Sequence, residues 1–348
     1  MTRILIAGSW KWPQYEAAFA DGLRANGADV HRHDWSPAFP GKIGLLQELL
    51  PFASPAMARL NRDLLAAVDT VEPDILLCWR PTHVRPETLR EVARRGVLSV
   101  SYNNDDPFGM RLRADAPWHH RYLWRQYLRA LPQFDRNFMY RAINVTEAMA
   151  AGARHAAVML PYFIPAQDRP IELSDAERQQ FGCDVVFVGH FEPDGREQAI
   201  GALIDAGLQV KLWGNDYWSQ QVLGRHYDAL APIRPALGDD YARALKGADI
   251  CLCFLSRLNR DTYTRRCFEI PACGSVMLAE RTDDLVRMFR EDEEACFFSS
   301  HAEMVEKALW LQANPDMRDQ IALAGLARVW FDGHDVNSRA RQFLEAVC

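Results

Sequence analysis

Short apolar runs that end in a glycine or a polar cluster recur along this chain, and segments with apolar residues at helical spacing separate them. That alternation leaves few folds open. Arg3–Gly8 is such a run, with no polar face, and a strand lacking a polar face is covered on both sides, as in a parallel sheet. Residues 14–26 follow with Ala17, Ala18 and Leu23 at helical spacing and stop at Gly27. Residues 28–33 read as a second strand. Pro55–Val71 reads as a helix with Leu60, Leu64, Leu65 and Val68 on one face, and residues 74–79 as another buried strand. A helix over 86–95 ends at Gly96, and strands are expected over 97–102, 134–140 and 156–160. Strand, helix, strand in this order predicts a parallel sheet with helices on both faces.

The second half restarts the same grammar. Residues 160–175 carry Pro161, Pro165 and Pro170 and read as a linker. Strands are expected over 184–189, 209–213, 248–255 and 275–279, and helices over 197–206, 239–246 and 263–272. Helices are expected to fill most of the remainder. A length of 348 residues suits two such domains better than one core. The expected organisation is an N-terminal Rossmann-like domain over 1–165 and a second over 176–333. A helical tail over 334–348 is a candidate to cross back to the first domain. The fold class is therefore α/β, two doubly wound domains facing each other across a cleft, with ligands expected where loops gather at the carboxyl ends of the strands.

Composition narrows the function. The formal net charge is −6, so no general attraction to nucleic acid is expected. The eight cysteines lie in apolar or helical text without any C-x-x-C pair, which points to free thiols in a reducing cytosol and away from a zinc site or disulfides. No apolar stretch approaches the roughly 20 residues that span a bilayer, leaving peripheral contact as the one membrane mode open. A cytoplasmic protein is expected. Gly-x-Gly-x-x-Gly and the P-loop pattern are both missing after the first strand, where Gly8-Ser9-Trp10-Lys11-Trp12 stands.

The richest stretch is Thr262-Tyr263-Thr264-Arg265-Arg266-Cys267-Phe268-Glu269-Ile270-Pro271-Ala272-Cys273-Gly274. It lies between two buried strands, so a helix N-terminus there would offer unpaired N–H groups and a positive dipole end to a diphosphate. Arg265 and Arg266 would add charge-assisted hydrogen bonds. Glu269, four residues after Arg265, could accept from two ribose hydroxyls. The plain alternative is an i,i+4 Arg–Glu pair on an exposed helix. Gly189 and His190 end another strand, where close backbone approach to a phosphate competes with an ordinary turn. Arg196 either reaches the same phosphates or is solvated. Trp213, before Gly214, either stacks on a base or sugar or packs in the core. Glu280 and Asp283 follow a strand, with helix capping as the plain account of both.

Tyr263–Gly274 in this stretch, with Val276–Glu280 and Asp284-Leu285, resembles the C-terminal domain of the CgeB-like glycosyltransferases, enzymes of the GT-B type related to the glycosyltransferase 1/4 group. Asp184–His190 with Arg196, the Leu212-Trp213-Gly214 end, and His334 and Arg339 fit the same pattern over roughly residues 180–345. The resemblance implies a sugar nucleotide bound mainly by the C-terminal half, with no metal and no cofactor beyond the donor itself. It implies that Gly189, His190, Arg196, Trp213, Gly214, Tyr263, Thr264, Arg265, Arg266 and Glu280 line the donor site and that Glu269 holds the donor ribose. The family's usual second glutamate, eight positions earlier, is Asp261 here.

In the first half, Tyr102-Asn103-Asn104-Asp105-Asp106-Pro107-Phe108-Gly109 crowds polar residues at the end of a buried strand. Asp105 or Asp106 is the candidate base that takes the acceptor hydroxyl's proton. A turn built on local Asn and Asp bonds is the competing account. His119 and His120 stand in aromatic text with Trp118 and Tyr122, read either as an acceptor surface or as a helix face. The expected activity is sugar transfer from a nucleoside-diphosphate donor to a hydroxyl on a glycan, lipid, protein or modified nucleic acid. An epimerase of the same fold and a non-catalytic nucleotide-sugar binder are the rival readings.

Overall fold

The computed structural model describes residues 1–109 and 118–348. The chain forms two compact units. The first comprises Met1–Leu160, Leu258–Arg260 and Val336–Cys348, and the second Pro161–Arg257 and Asp261–Asp335.

The first unit is built on six parallel strands: β1 Arg3–Gly8, β2 Asp29–Asp34, β3 Ile75–Trp79, β4 Leu98–Asn103, β5 Arg136–Met139 and β6 Ala156–Val158. Their spatial order is β2-β1-β3-β4-β5-β6. Ile4 pairs with Ile75 and Ile75 with Leu98, which aligns the buried runs across the sheet centre. Every residue of β3 is buried, as a strand covered on both faces requires. The Val336–Val347 helix packs on the Ala18–Ala25 helix, where Phe343 meets Phe19 edge-on at 5.6 Å. A Cβ at Gly22 would stand 2.8 Å from the Val336 carbonyl, so the helices meet where the side chain is missing.

The second unit carries β7 Cys183–Val188, β8 Val210–Trp213, β9 Ala248–Cys253, β10 Val276–Glu280 and β11 Cys296–Phe298, in the order β11-β10-β9-β7-β8 and all parallel. Val185, Phe187, Ile250, Leu252 and Leu278 lie in its core beneath the Arg196–Asp205 helix and the helices after β11.

Three expectations need correction. The helix expected over 263–272 begins only at Arg266 and runs to Ala272; the N–H groups of Cys267 and Phe268 bond back to the Thr264 and Arg265 carbonyls at 3.0 and 2.9 Å. β11 occupies a region expected to be helical. A helix over Gly41–Leu49 was not expected, since it buries only Gly44 and leaves most of its apolar residues in solvent.

Candidate functional site

In each sheet, the chain leaves the first strand in one direction and later strands build in the other. The crevice beyond the carboxyl ends of the two central strands is where open α/β sheets bind ligands. In the second unit those strands are β7 and β9, and they bring together His190, Glu192, Ser256, Arg266 and Glu280.

Arg266 opens its helix and reaches β7. Its Nε donates to the Val188 carbonyl at 2.6 Å, and its Nη2 lies 3.3 Å from where a Cβ at Gly189 would stand. A Cβ at 189 would meet the Phe187 ring first, at 2.6 Å, so glycine there makes room for that ring and, beside it, for the half-buried Arg266 guanidinium. His190 Nε2 donates to Glu192 Oε1 at 2.8 Å while its ring stays largely exposed. Glu192 also accepts from Ser256 Oγ, which follows β9, at 2.8 Å. Burial opposes the charge of Glu192, but His190, Arg196 and Ser256 outweigh it and lower its pKa. Glu280, at the end of β10, accepts from the Leu255 N–H at 2.6 Å, and burial raises its pKa. The helix after β10 is capped by Thr282, whose hydroxyl accepts from Leu285, and not by Glu280 or Asp283.

Several predicted donor residues are committed to the protein. Arg196 is not solvated: it is 4 % exposed, bonds Asp194 through Nε and Nη2 at 2.8 and 2.5 Å, and bonds the His190 carbonyl through Nη1 at 2.8 Å. It shapes the loop that presents His190. Trp213 is buried and stacks on Phe181 at 5.2 Å, the core alternative. Gly214 and Gly189 meet across Trp218, whose Nε1 donates to the Gly189 carbonyl at 2.8 Å; a Cβ at Gly214 would stand 2.4 Å from the Trp218 ring. Tyr263 is buried, and the Thr264 N–H points at Cys267 Sγ at 3.5 Å.

Arg265 diverges from its neighbour Arg266. Its Nε bonds Glu269 Oε1, its Nη2 lies 3.5 Å from Asp168, and its guanidinium stands over the Tyr162 ring. The other Glu269 oxygen accepts from the Tyr241 hydroxyl at 2.7 Å. The i,i+4 pair is thus present, but buried rather than exposed. Burial first, and the charge of Glu269 second, push the Asp168 carboxyl well above the usual carboxylate range. Sequence reasoning missed Asp168 and Tyr241, which lie 97 and 28 positions from their partners Arg265 and Glu269.

In the first unit the central strands are β1 and β3. Trp10 and Arg80, just beyond their ends, both adopt left-handed backbone (φ 53° and 49°), a conformation that costs a non-glycine residue about 1–3 kcal/mol and tends to cluster at functional sites. Arg80 Nε bonds Asp105 at 2.5 Å, and Asp105 keeps part of its carboxylate in solvent. Half-buried His120 is close enough to sense the charges of both, and burial, then His119, lower its pKa.

Asp106 differs from Asp105. It is 0 % exposed, and it accepts from Phe108 N, Gly109 N, Asn144 Nδ2 and Arg260. Burial opposes its ionisation, but Arg260 and the two backbone N–H groups outweigh it and lower its pKa. A closed carboxylate held in its ionised form is a poor proton acceptor, and Asp105 is the more open of the two candidate bases. Among the described residues, no group of three or more His, Cys, Asp or Glu is placed to hold a metal ion, and no helix is long and apolar enough to cross a membrane.

The family model described as "Glycosyl transferase-like" matches residues 196–345. No functionally curated protein matches the chain in sequence. Among solved structures, a sucrose-phosphate synthase from Thermosynechococcus elongatus aligns with a TM-score of 0.68 at 11% identity, covering 99% of this chain and 98% of that one. HepE from Anabaena, in complex with UDP and glucose, aligns with a TM-score of 0.67 at 14% identity over 99% of both chains. A UDP-N-acetylglucosamine 2-epimerase from Listeria monocytogenes, so described provisionally, aligns with a TM-score of 0.61 at 11% identity over 99% of this chain and 95% of that one. These likenesses show the fold: two Rossmann-like α/β domains of the GT-B type.

Proposed function

We propose that the chain is a glycosyltransferase whose second unit binds a nucleoside-diphosphate sugar. The observation that carries this reading is the coincidence of two things. The glycosyltransferase-like match, over residues 196–345, takes in Arg266 and most of the unit whose strand end at Gly189 also carries His190. In the proposed step, the bond from the anomeric carbon to the diphosphate oxygen breaks with its electron pair on that oxygen. The acceptor hydroxyl oxygen bonds the anomeric carbon and gives up its proton. Arg266, already positioned by Val188, would counter the charge gathering on the leaving diphosphate without reorganising. His190, held by Glu192, would donate to the same group. Glu269 is the proposed ribose contact, working from within its buried pair with Arg265. Asp105 is the proposed proton acceptor. The finer resemblance to CgeB-like enzymes rests on residues 263–274 and their neighbours.

An epimerase shares this fold, so two measurements are needed. Thermal shift with UDP and other nucleoside diphosphates, with and without EDTA, tests donor binding, because a ligand stabilises the fold it binds. Product analysis of a bound sugar nucleotide, with and without hydroxyl acceptors, then separates transfer from epimerisation. A shift with one nucleoside diphosphate that Arg266→Ala abolishes is expected. Indifference to every nucleoside diphosphate would refute the reading.

A further inference from the structure

The first unit contains a cavity of about 710 Å³ that the donor chemistry does not use. Leu50, Phe52, Met57, Trp118 and Tyr122 line it with apolar and aromatic surface. Three cations, Arg85, Arg125 and Arg129, line it as well, against one carboxylate, Glu87. That carboxylate is bonded to Arg90 at 3.1 Å. No side-chain hydrogen bond or ion pair of Arg85, Arg125 or Arg129 occurs among the described residues, whereas Arg3, Arg24, Arg32, Arg80 and Arg95 of the same unit are all paired. Arg129 shares the charge of Glu87, which leaves the cavity with an excess of guanidinium over carboxylate among the described residues, a lining that suits an anion with an apolar body.

The adjoining chain says where that anion resides. The Gly41–Leu49 helix leads directly into Leu50 and Phe52, and it turns its apolar residues outward: Ile43 is 74 %, Leu45 53 % and Leu46 52 % exposed. Phe52, Trp118 and Tyr122 at the cavity are also exposed. Scattered exposed apolar residues are ordinary, but a contiguous group of this kind marks an interaction surface. The helix is nonetheless fixed in place: His83 Nε2 bonds the Gln47 carbonyl at 3.0 Å, and Lys11 holds Glu48 at 2.6 Å. The Lys11 bond also neutralises the helix's one acidic residue. A fixed apolar helix flanked by an excess of guanidinium groups over carboxylates matches the chemistry of an anionic lipid surface.

We propose that this face docks on a membrane carrying anionic phospholipid, with Ile43, Leu45 and Leu46 in the interface. One lipid phosphate lies among Arg85, Arg125 and Arg129, its apolar portion against Leu50 and Phe52. The inference does not depend on the transferase reading.

The full chain is sedimented with vesicles of phosphatidylcholine alone and of phosphatidylcholine mixed with phosphatidylglycerol, at low and high salt. Binding to the anionic vesicles alone, weakened by salt, is the expected result. Arg125→Glu with Arg129→Glu should reduce it by about tenfold or more, and Leu45→Ser with Leu46→Ser should abolish it. Unchanged thermal unfolding of both variants establishes that they fold. Vesicle binding indifferent to both variants, or no vesicle binding at all, overturns the proposal. So does binding of monomeric short-chain phosphatidylglycerol or inorganic phosphate without vesicle binding. A concentration-dependent dimer in sedimentation velocity that the leucine variant dissolves would assign the face to a second copy instead and would equally overturn it.

Discussion

Arg260 grips both oxygens of Asp106, with Nε to Oδ2 at 2.5 Å and Nη2 to Oδ1 at 2.9 Å, and reaches Glu147 with the same guanidinium. A Cβ at Gly109 would stand 2.4 Å from both Arg260 Nε and Asp106 Oδ2, so the clasp needs glycine there. The polar loop after β4 thus divides its labour: Asp106 closes it, and its neighbour Asp105 faces outward toward Arg80.

That division gives the first prediction. Asp106→Asn weakens a buried, multiply bonded carboxylate, although Arg260 keeps Glu147, and should cost about 1–3 kcal/mol of stability, read by chemical denaturation. Asp105→Asn should leave stability nearly unchanged and lower turnover by on the order of 10²-fold or more, the usual loss on removing a general base. Equal stability losses in the two variants would contradict the division, and undiminished turnover in Asp105→Asn would remove it as the base.

Arg265 and Arg266 are adjacent in sequence and turn to different partners. Arg265 is spent on Glu269 and Asp168, whereas Arg266 lies at the strand end. Glu269→Ala should therefore destabilise the ligand-free protein by about 1–3 kcal/mol, because it takes the acceptor from the buried Tyr241 hydroxyl and one of two carboxylates from Arg265. Arg266→Ala should cost only about 1 kcal/mol of stability and weaken nucleoside-diphosphate binding at least tenfold by calorimetry. If Glu269→Ala leaves the unliganded protein as stable as before, the buried pair is not structural.

The sheets were legible because their central strands are apolar on both faces: Arg3–Gly8 falls where the sequence pattern places it, and Ile75–Trp79 lies within the expected 74–79. The pattern failed where burial and hydropathy part company. The Gly41–Leu49 helix carries leucines into solvent, so its periodicity points at no core. β11, with three residues, is too short to register as a run. At the site, sequence identified Arg265, Arg266 and Glu269 as chemically rich, but the choice between ligand and partner depended on Asp168 and Tyr241, distant residues with no local signal. The burial of Arg196 was hidden for the same reason, since nothing local shows that its loop folds over it.

The cost of an interior histidine makes the Gly41–Leu49 helix sensitive to acid. His83 is 3 % exposed, with Nδ1 2.8 Å from Thr82 Oγ1 and Nε2 bonded to Gln47. Burial, opposed by the Gln47 carbonyl, lowers its pKa to about 4. The folded value lies below the ordinary histidine value near 6.5, so the unfolded chain binds the extra proton between these limits. This contribution to stability is fully present above pH 6.5 and is lost as pH falls toward 4, on the order of 3 kcal/mol in all. Chemical denaturation across that window should show a decline that His83→Gln lessens. An unchanged decline in the variant would mean that other groups carry the acid sensitivity.

The Val336–Val347 helix rests on the first unit at a point where one atom group decides the fit. Gly22 lies under Val336 and Ala340: an added Cβ would stand 2.8 Å from a backbone carbonyl and 3.1 Å from the Ala340 methyl. The first neighbour is backbone and cannot rotate away, so relief must come from lifting the helix. Lifting it would loosen Phe343 from Phe19 and Phe138 and strain the Asn26 Nδ2 bond to the Asn337 carbonyl at 2.9 Å. Gly22→Ala gains helix propensity of about 1 kcal/mol in an unobstructed helix. Here overpacking of about 1–3 kcal/mol opposes that gain, and net destabilisation is expected. Hydrogen exchange should show faster exchange in 336–347 of the variant while the β1–β3 core stays protected. A more stable Gly22→Ala protein with unchanged exchange would mean that this contact gives way without cost.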